Sequence, residues 1–260
     1  MEPLLVSTGL IFVSVTLVFF ASLFIRSNSI IDVAYGLIFI LVAVATFGLY
    51  SSTLPVQALV TILVIIWGVR LSARIYIKNK GRGEDHRYAQ WRDAWLKKGK
   101  FYFWARSYFQ VYLLQGIVIW IVSLPVVLIN SDTGMVWNLF VSLGVFVWLL
   151  GFLCEVVADW QLDRFLQNPD NHGRVMQQGL FAYSRRPNYF GESLMWWGIA
   201  LIAFSNPVYW VVFLSPAVIT YILVAITGPI TEHIWVESEE YKRYTERVSY
   251  FIPWVPRKQR

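Results

Sequence analysis

The stretch LLVSTGLIFVSVTLVFFASLFIRSNSIIDVAYGLIFILVAVATFGLY (Leu4–Tyr50) decides the fold. Its only charged residues are Arg26 and Asp32. On each side of the polar break at Arg26–Ser29 lies an apolar run of about 20 residues, the length a helix needs to cross the ~30 Å hydrocarbon core of a bilayer. Backbone groups in lipid must be satisfied within the segment, and neither run alternates as a barrel strand would. The pair therefore reads as two antiparallel transmembrane helices joined by a tight polar turn. The first run is too long, and too poor in basic residues at its start, to be a signal peptide.

The same pattern recurs outward along the chain. Seven runs are expected to be transmembrane helices, at about 4–25, 30–50, 54–77, 108–129, 136–158, 189–205 and 207–228. The predicted fold class is all-α, a single polytopic membrane domain spanning 1–260. Composition agrees: 57% of residues are hydrophobic, 17% aromatic and 15% charged, and the mean hydropathy is +0.53. A soluble domain carries about 25% charged residues, so a soluble enzyme is excluded. The single cysteine, Cys154, excludes a disulfide framework, a cysteine zinc site and an iron–sulfur cluster.

Seven spans with the N-terminus outside place the segments 26–29, 78–107, 159–188 and 229–260 on the inner side. All 22 Lys and Arg residues then lie in those segments or, like Arg70 and Arg74, at the inner end of a helix. This one-sided distribution predicts a cytosolic C-terminus. It also turns the net charge of +6 from a general affinity for polyanions into a property of one face.

Chemistry is expected on that inner face, because the outer connections are too short to build a site. The segment GRGEDHRYAQWRDAW (Gly81–Trp95) interleaves acids, bases and aromatics, which lipid binding alone does not require, and its charges are expected to pair and shape a pocket. Three carboxylates fall inside the expected spans: Asp32, Glu155 and Glu192. Ionisable groups there are costly and mark functional positions. Glu155, Asp159 and Asp163 recur at helical spacing and form one stripe, whose alternative role is to hold Arg74, Arg106 or Arg164. In GLFAYSRRPNYFGES (Gly179–Ser193), Pro187 predicts a helix start near Asn188. That places Asn188 and Tyr189 at a positive helix end beside Arg185 and Arg186, a ready anion or amide site, with Gly191 allowing close approach. There is no Gly-x-Gly-x-x-Gly after a strand and no Walker A motif, and His86, His172 and His233 lack metal-ligand spacing.

GLFAYSRRPNYFGESLMWWGIAL (Gly179–Leu201) resembles the signature of the membrane steroid 5-alpha-reductase superfamily, and EHIWVESEEYKRYTERVSYFIPW (Glu232–Trp254) resembles its C-terminal signature. RLSARIYIKNKGRGEDHRY (Arg70–Tyr88) is similar to a largely bacterial branch, which implies a bacterial inner membrane. The resemblance implies an enzyme that binds NADPH from the cytosolic side and reduces an activated C=C bond of a lipid or steroid-like substrate. No nucleic acid, no metal and no required protein partner are expected. Carried over by residue, the family's cofactor positions fall on Asn79, Arg106, Asp159, Asn188 and Tyr244, with Tyr189, Gly191 and Glu192 in the same motif and Glu155 where the family has a cofactor-contacting Asn. Arg185 and Arg186 are expected to hold phosphates. The acid beside the substrate carbonyl falls on Asp32, expected to be protonated in a low-dielectric site. The carbonyl-binding Tyr falls on Trp67, for which Tyr35, one turn from Asp32, is a substitute. The related S-adenosylmethionine-dependent isoprenylcysteine and phospholipid methyltransferases read Arg-His-Pro where this chain has Arg185-Arg186-Pro187. A non-catalytic lipid-binding or scaffold protein is the remaining reading.

Overall fold

A computed structural model describes residues 1–51, 54–81, 83–232 and 238–257; His233 falls outside them. Every regular element among the described residues is helical. Among the described residues the only strand-like pairing is an isolated parallel bridge between Ser184 and Ser249. The chain divides into two compact units, Met1–Asn138 with Asn206–Tyr209, and Leu139–Ser205 with Trp210–Arg260.

In the first unit, α1 (Glu2–Ile25) ends at Arg26, whose left-handed backbone (φ 59°, ψ 37°) turns the chain sharply. α2 (Ile30–Tyr50) runs back and packs on α1 and α3 (Leu54–Asn79). The approach of α2 to α3 depends on Gly36 and Gly68: a Cβ on Gly36 would lie 2.6 Å from the Gly68 carbonyl oxygen, so only glycine lets the backbones meet. Gly36 is one turn beyond Asp32, and the crossing fixes the first turns of α2.

The segment expected as an inner loop over 78–107 contains two helices, α4 (His86–Leu96) and α5 (Lys100–Arg106). Asp85 caps α4, accepting the Arg87 backbone N–H at 3.0 Å. α5 continues through a π-helical stretch, Ser107–Leu113, into α6 (Leu114–Ser131). The expected span 108–129 thus falls within one 32-residue apolar segment, Lys100–Ser131. Near its far end, Asn130 donates to the Ala43 carbonyl and to the Thr46 hydroxyl, both at 3.0 Å, tying α6 to α2.

The second unit is organised by α7 (Leu139–Gln167) and α8 (Pro187–Ala203). Their seam is built of glycines. A Cβ on Gly191 would lie 2.6 Å from both the Gly151 oxygen and the Glu155 nitrogen, and Gly144 faces Gly198 in the same way. α8 begins at Pro187 as expected, because proline needs no N–H partner in a first turn. The final apolar segment, Pro207–Glu232, is not one regular helix. A 3₁₀ portion leads into α9 (Leu214–Tyr221), a π-helical stretch (Ile222–Thr227) and α10 (Gly228–Glu232). α11 (Glu239–Arg247) carries the tail.

Six helical segments among the described residues are long and apolar enough to cross a membrane, which makes this a multi-pass membrane protein. The seventh expected span, 189–205, is helical as α8 but only 17 residues long. At 1.5 Å per residue that is about 26 Å, short of the ~30 Å hydrocarbon core.

Candidate active site

In the first unit, polar residues from α2, α4 and α6 converge on Asp32 in the first turn of α2. The Tyr88 hydroxyl donates to Asp32 Oδ1 at 2.8 Å. Gln115 Nε2 donates to the Tyr88 oxygen at 3.3 Å and to Asp32 Oδ1 at 3.5 Å. The Arg87 guanidinium lies 3.8 Å from Asp32 Oδ2 and also holds Asp85 at 3.0 Å. The Oδ1 of Asp32 thus accepts from both Tyr88 and Gln115, with the Arg87 guanidinium facing its Oδ2.

The position of α4 is set locally. Glu84 binds Arg92 through two contacts of 2.8 and 2.9 Å and accepts the Asn28 backbone N–H at 2.6 Å. Ser29 Oγ accepts the Asp85 N–H at 2.8 Å. The α1–α2 turn therefore grips the start of α4 from both sides, and Tyr88 follows one turn later. The internal pairing expected for Gly81–Trp95 is present. Burial and then the Asp32 charge push the Tyr88 phenol well above its ordinary value of 10.0. Burial opposes ionisation of Asp85, but hydrogen bonds from the Arg87 side chain and backbone outweigh it and hold the carboxyl below its usual value.

Of the other residues expected in this half, Tyr35 and Trp67 both pack edge-on against Phe39, with ring centroids 5.1 and 5.3 Å away, and Trp67 is buried. Asn79 is the last residue of α3. Arg106, at the end of α5, places its guanidinium 5.8 Å from the centre of the Tyr102 ring. Tyr88, Arg87 and Gln115 were not anticipated. The acid–base interleaving around Glu84–Tyr88 was the available signal for the first two; Gln115 had none.

In the second unit, Arg185 and Arg186 precede α8 and close on one carboxylate. Glu232 Oε2 is 3.0 Å from Arg185 Nη1, and its Oε1 is 3.6 Å from Arg186 Nε. Tyr241 Oη lies 3.2 Å from Arg185, whose guanidinium covers the Tyr250 ring at 4.7 Å. Arg186 donates to the Gly228 carbonyl at 3.3 Å and lies 5.4 Å above the Tyr189 ring. The Nε atoms of both arginines are buried and make no hydrogen bond among the described residues. Burial, then the Glu232 carboxylate, push the Tyr241 phenol up to about 12.

Asn188 Nδ2 donates to Asp159 Oδ1 at 3.4 Å, joining the start of α8 to the acidic stripe of α7. Glu155 and Asp159 are both buried on that stripe. Gly191 is taken up by the α7 seam, and Glu192 is half-buried beside it. Tyr244 is also brought close to the chain before α8, but its hydroxyl donates to the Phe181 carbonyl at 2.6 Å and the side chain is buried, so it latches α11 in place. Glu232 was the residue missed here. Among the described residues no group of His, Cys, Asp and Glu could hold a metal ion.

The chain is similar to human 3-oxo-5-alpha-steroid 4-dehydrogenase 2, 36% identical over 66 residues, which covers 25% of this chain and 26% of that one. It is similar to the bovine (Bos taurus) 3-oxo-5-alpha-steroid 4-dehydrogenase 1, 32% identical over 113 residues, covering 43% and 41%. An uncharacterized protein of Schizosaccharomyces pombe is 28% identical over 167 residues, covering 52% of this chain and 57% of that one. This chain thus spans from a quarter to somewhat over half the length of these relatives. No solved structure matches it significantly. The family described as "Protein of unknown function (DUF1295)" matches residues 18–248. With that match and those steroid-dehydrogenase relatives, the chain belongs to the DUF1295 family of the steroid 5-alpha-reductase superfamily.

Proposed function

We propose that this protein is an NADPH-dependent membrane reductase of an activated, enone-type C=C bond in a hydrophobic lipid or steroid-like substrate. Arg185, Arg186, Asn188 and Asp159 serve the cofactor, with Asn79, Arg106, Glu155, Tyr189, Glu192 and Tyr244 as its further expected positions. Asp32 marks the polar end of the substrate site, with Tyr35 and Trp67 on the apolar side. α8 is the seventh pass, with the N-terminus outside and the basic face in the cytosol of a bacterial cell.

The observation that carries the reading is the arginine pair before α8. Two adjacent guanidiniums hold one carboxylate, and Arg185 keeps a buried Nε donor without a hydrogen bond among the described residues, while Arg186 Nε faces Glu232 Oε1 at 3.6 Å. A buried orphan donor of this kind, beside a second guanidinium, fits the oxygens of an anionic phosphate. When bound, NADPH supplies the hydride; the residues of the chain bind, orient and polarise. Asn188, held at 3.4 Å by Asp159, offers an amide to a carboxamide or ribose. An apolar substrate reaches such a site from the bilayer, where it already concentrates.

The test is NADPH oxidation by the purified protein with a panel of enones, run beside methyl transfer from S-adenosylmethionine to isoprenylcysteine and phospholipid acceptors. Enone-dependent NADPH oxidation without methyl transfer is expected. Methyl transfer without NADPH oxidation would make the protein a methyltransferase, and neither activity would make it a lipid-binding or scaffold protein.

A further inference from the structure

We propose that Tyr88, on the inner helix α4, is the hydrogen-bond donor to the substrate carbonyl, and that Asp32 is the residue that positions it. The inference rests on the reductase reading and names the chemistry of its substrate end: a conjugated ketone whose oxygen is received by a phenol rather than by a carboxylic acid.

The geometry supports this in four ways. Tyr88 has a single hydrogen to give, and it is aimed at Asp32 Oδ1 at 2.8 Å. Gln115 Nε2 occupies one acceptor position of the Tyr88 oxygen at 3.3 Å, so the phenol is oriented from two sides. Asp32 also has an ion pair with Arg87 at 3.8 Å and a hydrogen bond from Gln115 at 3.5 Å, so the Tyr88 hydrogen can turn to a new acceptor without leaving the carboxyl bare. The site is buried but not sealed: Tyr88 is 5% exposed, while the Asp32 side chain keeps 22% of its surface open. The wall is also incomplete as it stands, since Gln115 Oε1 is buried and accepts no hydrogen bond among the described residues.

The chemistry follows from charge. Hydride from NADPH adds to the β-carbon, the C=C electron pair moves onto the carbonyl oxygen as an enolate, and the cofactor leaves as NADP⁺. A proton from water then reaches the α-carbon and restores the ketone. The group needed is a neutral donor at the oxygen as the negative charge develops. Tyr88 is such a donor, because burial and the nearby Asp32 charge keep its phenol protonated. Asp32 Oδ1 is the acceptor that aims it.

The experiment uses the full-length protein in nanodiscs with two probes, a ¹³C=O-labelled 3-oxo-4-ene steroid and a nitroalkene of similar size. Without NADPH, infrared difference spectra of the bound enone should show the carbonyl band lowered from its position in lipid alone, and Tyr88→Phe should abolish that shift. With NADPH, Tyr88→Phe should lower enone kcat by roughly 10²–10³-fold, as removal of an oxyanion donor does. Nitroalkene reduction should fall less than about tenfold on the same principle, because the nitronate spreads its own charge over two oxygens. NADPH affinity should stay within about twofold, since the phenol has no part in cofactor binding. An unchanged carbonyl band or enone rate in Tyr88→Phe overturns the inference, and so does equal loss with both probes. If Tyr88→Phe does not fold, fluorotyrosine at position 88 keeps the ring and strengthens the donor. The carbonyl band should then move further in the same direction, and a stationary band overturns the inference. A shifted carbonyl in wild-type protein that never oxidises NADPH sinks the reductase reading and leaves the Tyr88 contact standing.

Discussion

Tyr88 and Asp32 lie 56 positions apart in the chain and share a 2.8 Å hydrogen bond in which the phenol donates to the carboxylate. α2 supplies the acid, α4 supplies the phenol, and the contact exists because Glu84 and Asp85 fasten the start of α4 to the α1–α2 turn. An ionisable side chain in the first turn of a membrane helix is thereby given donors instead of lipid, as its cost in that environment requires.

Asp32→Asn keeps an acceptor for Tyr88 but removes the carboxyl oxygen that faces Arg87 at 3.8 Å. Enone kcat should fall at least tenfold, and NADPH affinity measured by cofactor fluorescence should stay within about twofold, because the lost interaction serves the transition state and not cofactor binding. Full activity in this variant would make Asp32 structural.

How much of this was legible in the sequence follows from which interactions are local. The helices over Leu4–Tyr50 were legible because the length and charge of a segment decide its solvent, and the α8 start because Pro187 acts on its own backbone. The Tyr88–Asp32 contact was not, because it depends on α4 forming within a segment that reads as loop and folding back on a turn 56 residues earlier. Glu232 escaped notice for the same reason: it meets Arg185 across 47 positions. Tyr244 was found as a position but not in its setting, since its hydroxyl is held by a backbone carbonyl and no side-chain pattern announces that.

Asn188→Ala removes the amide that Asp159 orients. The dissociation constant for NADPH should rise about tenfold, the equivalent of one hydrogen bond of roughly 1.4 kcal/mol. Isothermal titration decides it; an unchanged constant removes Asn188 from the site.

Gly191→Ala distinguishes packing from cofactor contact. The new Cβ would sit 2.6 Å from the Gly151 oxygen and the Glu155 nitrogen, forcing α7 and α8 apart. A loss of about 1–3 kcal/mol of stability is expected, visible as a lower melting temperature in the absence of any ligand. Unchanged melting with weakened NADPH binding would place Gly191 against the cofactor instead.

Asp85 sets the acid sensitivity of α4. Its carboxyl is held below the usual aspartate value by Arg87, against the opposing effect of burial. The stabilisation is therefore complete above the unfolded value, about 3.9, and is lost as pH falls below it through the folded value. Hydrogen exchange of the α4 amides should accelerate on acidification through that window in wild-type protein. In Asp85→Ala, α4 should already exchange fast at neutral pH and show no such step. A step that persists in Asp85→Ala would assign it to another group.

The most direct test of the central claim follows the label from C4-deuterated NADPH into the product of enone reduction by the purified protein. The account predicts one deuterium at the β-carbon, none at the α-carbon, and one NADPH consumed per product. NADPH left unoxidised in the presence of the enone panel, or a reduced product without deuterium at the β-carbon, would contradict it.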